Sequence, residues 1–152
     1  MDNALERVKA LYTELVRALD IQKKGCWIPC SIDEAHLVLQ KSWSLCDALR
    51  ELIRLAEHES KAWSREVAQV VAYPIGYLFM DVDEVVYAWY PELVPDDLKE
   101  AGKEYRSSCR DKERGVQLHD LEAIEQKIRE LPDRIRQTWG CDRSQIEEQE
   151  AL

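Results

Sequence analysis

The sequence predicts an all-α fold, a compact bundle of about five to six helices built on one long antiparallel helical hairpin. Three observations lead there. Only five glycines and five prolines interrupt 152 residues, so most of the chain must lie in long regular elements. Its apolar residues recur in steps of three and four, the helical period, with little strict alternation. Helix-start signals such as Ser31 followed by Glu34 stand directly before those periodic runs.

The first helix is expected over 3–24. Leu5, Val8, Tyr12, Leu15 and Leu19 form its stripe, Leu11 and Val16 widen it, Asn3 with Glu6 can cap it, and Gly25 stops it. A tight apolar connection, Gly25 to Cys30, leads to a second helix that opens at the Ser31/Glu34 capping box and runs to about His58. Its row Ala35, Leu39, Ser42, Cys46, Leu49, Ile53 and Ala56, with Val38, Leu45 and Leu52 beside it, suits a central helix packed on two sides. The short turn makes these two an antiparallel hairpin. A third helix is expected over 61–73, ended by Pro74 and Gly76. A short strand competes with helix near 77–80, where aromatic and bulky apolar residues run together. Asp81 with Glu84 reads as a cap for a short helix through Val85, Val86, Ala88 and Trp89 that ends before Pro91. Pro95-Asp96-Asp97 opens the next helical stretch, carrying Leu98, Ala101, Tyr105 and Cys109. After Gly115, Leu118, Leu121, Ile124, Ile128, Leu131 and Ile135 mark the last long helix, kinked or interrupted at Pro132 and closed by Trp139-Gly140. Residues 1–140 thus read as one helical domain and 141–152 as an acidic, frayed tail.

Composition narrows the function classes. With 45% hydrophobic and 34% charged residues the chain is globular. Its net charge of -9 repels nucleic acid and anionic membrane unless basic residues cluster. The densest basic patch, Lys103, Arg106, Arg110, Lys112 and Arg114, is interleaved with Glu104, Asp111 and Glu113, a solvated face. No direct nucleic-acid contact and no membrane association are expected. No run reaches the roughly 18 apolar residues of a membrane helix, and the acidic, amphipathic start is unlike a secretory signal. The five cysteines, odd in number and without a regular framework, fit reduced thiols in the cytoplasm.

Three constellations carry chemistry. Residues 77–100 hold Asp81, Asp83, Glu84, Glu92, Asp96, Asp97 and Glu100 against one base, Lys99, a net -6 of the total -9. Tyr77, Phe79, Tyr87, Trp89 and Tyr90 lie among them. Rings supply contact area and carboxylates supply steering, so this segment fits a basic protein surface. Tyr77, Phe79, Asp81, Asp83, Glu84, Tyr87, Trp89, Tyr90, Asp96 and Asp97 are its candidate partner-binding residues. The same side chains also fit a core cluster with helix-capping acids. The function expected is a non-catalytic protein-binding regulator, inhibitor or accessory subunit that uses no cofactor.

The alternative is a thiol- or zinc-dependent sensor on Cys26 and Cys30, with His36 one turn into the second helix. Cys30 lies just before a helix N-terminus, where the dipole favours thiolate. Structural zinc usually takes two close pairs of ligands, and one pair is present here.

Finally, Leu78-Phe79-Met80-Asp81-Val82-Asp83-Glu84-Val85-Val86 resembles the first motif of haloacid-dehalogenase-like phosphatases, an apolar strand ending in Asp-x-Asp. The resemblance implies a small metal-dependent hydrolase with Asp81 as nucleophile, Asp83 as acid/base and magnesium beside them. It covers these nine residues. Glu84 stands where that family has glycine, and a helical half stands where the family's motif closes the first strand of a doubly wound sheet.

Overall fold

A computed structural model describes residues 1–21, 25–101 and 114–151 of the chain. Four long helices account for most of them: α1 (Asp2–Leu19), α2 (Ile32–Glu59), α3 (Lys61–Leu78) and, after the short α4 (Glu84–Trp89), α5 (Leu118–Ala151). The all-α expectation holds. The count of five to six helices exceeds the four long ones, because part of the chain between α3 and α5 is made of short turns.

Apolar stripes set the packing. α1 buries Leu5, Val8, Leu15 and Leu19 against α2, whose Val38, Leu39, Leu45, Leu49 and Leu52 are fully enclosed. Each such side chain removed from water is worth roughly 1.5–3 kcal/mol. α3 packs on α2 and on α5, and α1 touches α5, so the four long helices close a ring. Their directions follow from named contacts. The second half of α1 meets the start of α5, and the residues leading into α2 pair with those leading into α5. The Tyr12 hydroxyl donates to the Leu121 carbonyl at 2.9 Å, while Trp27, paired with Val116, donates its indole N–H to Glu34 at 2.7 Å. α2 and α3 turn back on each other through one residue, Ser60. Its N–H closes α2 on Ala56, and its hydroxyl accepts the Trp63 N–H of α3. α3 and α5 are antiparallel as well, since Trp63 meets Thr138 and Trp139 while Tyr73 lies under Lys127. The result is an up-down-up-down four-helix bundle.

One end of the bundle is pinned by a two-strand ribbon. β1 (Cys26–Trp27) pairs antiparallel with β2 (Val116–Gln117), Trp27 opposite Val116. Gly115 precedes β2 at φ +67, and a Cβ there would collide with the Trp27 carbonyl and the Ile28 side chain. Glycine is needed for both reasons. Glu34 ties this ribbon to α2. Ser31 caps α2 by accepting the Glu34 N–H at 3.2 Å, but the Glu34 carboxylate takes the Trp27 indole and the Cys30 N–H, so only the hydroxyl half of the expected box is formed.

Several boundaries differ from the sequence expectation. α1 stops at Leu19, not at 24. Asp20 adopts the left-handed conformation (φ 49), its N–H returns to Val16, and Ile21 folds into the core. Met1, not Asn3, is the N-cap, without a side-chain bond. Glu14 reaches across to Lys41 of α2 at 3.5 Å.

α3 does not end at Pro74. A proline removes one intrahelical bond, and burial of Val71, Pro74 and Leu78 on one face offsets that loss. The segment 77–80 is not a strand. Leu78, Val82, Val85 and Val86 step along one buried helical face, whereas a strand would send alternate residues to the other side. The extra residue is absorbed by a π turn, Phe79–Asp83, in which the Glu84 N–H bonds back to the Phe79 carbonyl. Asp81 and Glu84 therefore form no cap, because the chain is already helical there. α4 ends before Pro91 as expected. 3₁₀ turns follow at Pro91–Leu93 and Asp96–Ala101, the second in place of the α-helix expected from 95. Tyr105, Cys109 and the basic residues 103–112 lie outside the described residues, as does Lys24. α5 continues through Pro132, with Leu131 and Ile135 buried on either side, and runs past the stop expected at Trp139-Gly140. Among the described residues no helix is long and apolar enough to cross a membrane.

Candidate binding cleft

The π turn shapes the site. π-bulges arise where a helix gains a residue, and they often mark functional positions. Here the turn points its two aspartates to different neighbours. Asp83 faces α2 and is 4% exposed. Asp81 faces the start of α5 and is half-buried. Its carboxyl is raised above the usual range by burial and by Asp120, with Arg114 and His119 pulling the other way.

Asp83 sits at the floor of an open cleft of about 500 Å³. From α2 the cleft receives Trp43, Cys46, Asp47 and Arg50, one helical face by their spacing of three and four. α3 contributes Ile75 and Gly76, and the π turn contributes Phe79. Tyr87, one turn past Asp83 on α4, closes the back, and Pro95, Asp97 and Leu98 form the far lip. Gly76 leaves the wall open, since a Cβ there would meet nothing within 4 Å.

Ser42 Oγ donates to Asp83 Oδ1 at 2.6 Å, and both groups are buried. Burial pushes the Asp83 carboxyl up to about 7. The Ser42 bond opposes that shift and the Glu84 charge adds to it. Beside it the Cys46 thiol is pushed up to about 12, by burial first and the Asp83 charge second, with Arg50 opposing. Cys46 is therefore a protonated, packed thiol near neutral pH, and Ser42, 0% exposed, is out of reach of any ligand. At the rim Asp47 holds Arg50 at 3.4 Å. Carboxyls shifted like that of Asp83 are enriched at functional sites.

The expected partner-binding residues divide. Asp83 and Tyr87 (1% exposed) belong to the interior and meet the surface only as floor and back wall. Tyr77, Phe79, Asp81, Glu84, Trp89 and Tyr90 are half-buried, and Tyr77, Phe79, Trp89 and Tyr90 pack on the core from outside. Asp96 and Asp97 are exposed. Phe79, Asp83, Tyr87 and Asp97 are brought together at the cleft, and Asp81 is turned away from it. Ser42, Trp43, Cys46, Asp47 and Arg50 were absent from the sequence-based site. The usable signal was Ser42, a polar residue within an otherwise apolar row, which needed a buried partner.

Asp81 and Asp83 thus do not form the paired carboxylates that resemblance to the phosphatase motif implies, and the segment before them is helix, not strand. Cys26 is half-buried in β1, Cys30 is exposed with its N–H on Glu34, and His36 is exposed on α2. Among the described residues no group of three or more His, Cys, Asp or Glu side chains is placed to hold a metal ion.

A second polar cluster lies at the start of α5. Buried Asp120 accepts the Gln117 N–H on one oxygen and Arg114 on the other, each at 3.0 Å, with His119 at 3.3 Å. Both oxygens are used to fasten the ribbon to the helix. No protein-family model, no curated protein and no solved structure matches the chain.

Proposed function

We propose that the chain is a non-catalytic, cytoplasmic protein-binding regulator, inhibitor or accessory subunit that engages a basic partner surface through the acidic-aromatic segment 77–100. The carrying observation is the cleft. Aromatic and aliphatic walls from Trp43, Ile75, Phe79, Tyr87 and Leu98 surround a floor and rim bearing Asp47, Asp83 and Asp97, with Arg50 the one cation among the described lining residues. Apolar area with acidic surroundings suits an anchor side chain from a basic face, the ring of charge aiding encounter and the walls slowing release. The reading without catalysis is supported by the enclosed Ser42 and the high thiol pKa of Cys46, which leave neither as a reachable nucleophile.

Affinity purification from the native host, with mass spectrometry, tests this. The wild-type chain is compared with Phe79→Ala and with a double reversal of Asp96 and Asp97 to Lys. A specific partner should be captured by wild type. Phe79→Ala should weaken capture by on the order of 2 kcal/mol, a hot-spot magnitude, and the charge reversal should slow association most at low salt. Equal capture by all three chains, or none by wild type, would refute the proposal.

A further inference from the structure

We infer that the cleft takes the guanidinium of an arginine side chain presented by a partner protein, with the Asp83 carboxylate as its counter-charge. This rests on the protein-binding reading above and names the group that such a partner would deliver to the cleft floor.

The geometry argues for it as follows. Asp83 is almost wholly enclosed yet lines the opening. Ser42 occupies Oδ1, and among the described residues no hydrogen bond is made to Oδ2. A buried carboxylate with a vacant oxygen is costly by itself and gains most from a charged donor. Trp43, exposed on α2, offers an aromatic face at the mouth of the cleft. A guanidinium is planar, weakly hydrated and stacks on such faces while donating in its plane, whereas an ammonium gives up more on leaving water. Gly76 keeps one wall free of a side chain.

Among the described lining residues of the cleft, Asp47, Asp83 and Asp97 stand against Arg50. Glu84 lies on the same segment as Asp83, and Asp97 on the far lip. α2 adds Asp47, Arg50 and the protonated Cys46, and α4 adds the Tyr87 hydroxyl. Arg50, the one cation in that set, is engaged by Asp47. Binding needs the ionised carboxylate, so at lower pH a proton must leave Asp83 for solvent as the guanidinium enters. Affinity therefore rises with pH up to about 7 and levels off above it.

The test titrates the full chain with n-propylguanidinium and follows backbone amide shifts by NMR. At about pH 8, shifts should centre on Ser42, Phe79, Asp83 and Tyr87. Affinity should fall at least about tenfold in Asp83→Asn, the fold-change of one charge-assisted hydrogen bond. It should fall similarly in the unaltered protein at about pH 5.5. The pH arm needs no variant, so it stands even if Asp83→Asn were misfolded. No shifts at about pH 8, equal affinity in Asp83→Asn, or n-propylammonium binding as tightly would overturn the inference. Partner capture that depends on Asp96 and Asp97 but ignores Asp83→Asn would also overturn it, and would leave the protein-binding reading standing. Failed capture with propylguanidinium binding intact would sink that reading and leave the guanidinium site.

Discussion

Asp83→Asn should make the protein more stable at neutral and alkaline pH and leave it unchanged in acid. The folded carboxyl titrates at about 7 against an ordinary value of 3.8. Below the lower value both folded and unfolded chains hold the proton, and burial exacts no charge penalty. Between the two, the unfolded chain loses the proton first, so wild-type stability falls as pH rises. Above about 7 both forms are ionised and the loss is complete. Three units at 1.36 kcal/mol each set a loss on the order of 4 kcal/mol, an upper figure because the cleft admits some water. Asparagine keeps the shape and can still accept the Ser42 hydroxyl, and it carries no charge at any pH. Urea unfolding followed by far-ultraviolet circular dichroism, on both chains from about pH 4 to about pH 8, isolates the effect, since every other titrating group cancels in the difference. The variant should gain steadily through that interval and then run level with an offset of a few kcal/mol. Parallel curves would mean that Asp83 is neither dry nor shifted, and the argument for the cleft floor would go with it.

Three further outcomes follow from the same contacts. Ser42→Ala removes the Ser42 hydrogen bond to Asp83, so it should destabilise by roughly 1.5–3 kcal/mol at about pH 8 and by less at about pH 5, read from the same urea curves. Gly115→Ala should destabilise by at least about 1–2 kcal/mol, the left-handed backbone penalty alone, with the collision at Trp27 adding to it; a thermal melt matching wild type would contradict the ribbon geometry. Gly76→Ala should instead stabilise by about 0.5–1 kcal/mol, because the new methyl meets open space in a helix interior, while narrowing the cleft for any ligand.

The helices were legible where local chemistry and burial agree. The Ser31 cap, the long apolar rows of α2 and α5, and the end of α4 before Pro91 all read directly from residue spacing. Legibility failed where tertiary packing overrode a local rule. Pro74 and Pro132 both look like stops, yet each sits beside buried apolar residues whose contacts outweigh one lost hydrogen bond. Asp20 ended α1 early through a left-handed turn that asparagine or glycine would have announced more clearly. The cleft was half legible. The acidic and aromatic run from 77 was visible, but its other wall comes from α2, 41 residues away at the Ser42–Asp83 bond, and no spacing rule links the two. The π turn was hidden as well, because one additional residue in a helix leaves the apolar pattern almost intact.

Two buried carboxylates among the described residues, Asp83 and Asp120, invite opposite readings. Asp120 has both oxygens committed, to the Gln117 N–H and to Arg114, so its burial is compensated and its role is to hold β2 against α5. Among the described residues Asp83 has one hydroxyl partner, and it has a raised pKa and an opening above it. An asparagine there would serve the packing at least as well, and near neutral pH it would serve stability better. Ionisable groups perturbed in this way cluster at functional sites, and a bound guanidinium would give this charge a use. Had Asp83 been sealed under the helices, that use would have to be internal, a register pin between α2 and the π turn. Because it lines the cleft among Trp43, Phe79 and Tyr87, the charge is available to something that enters from outside.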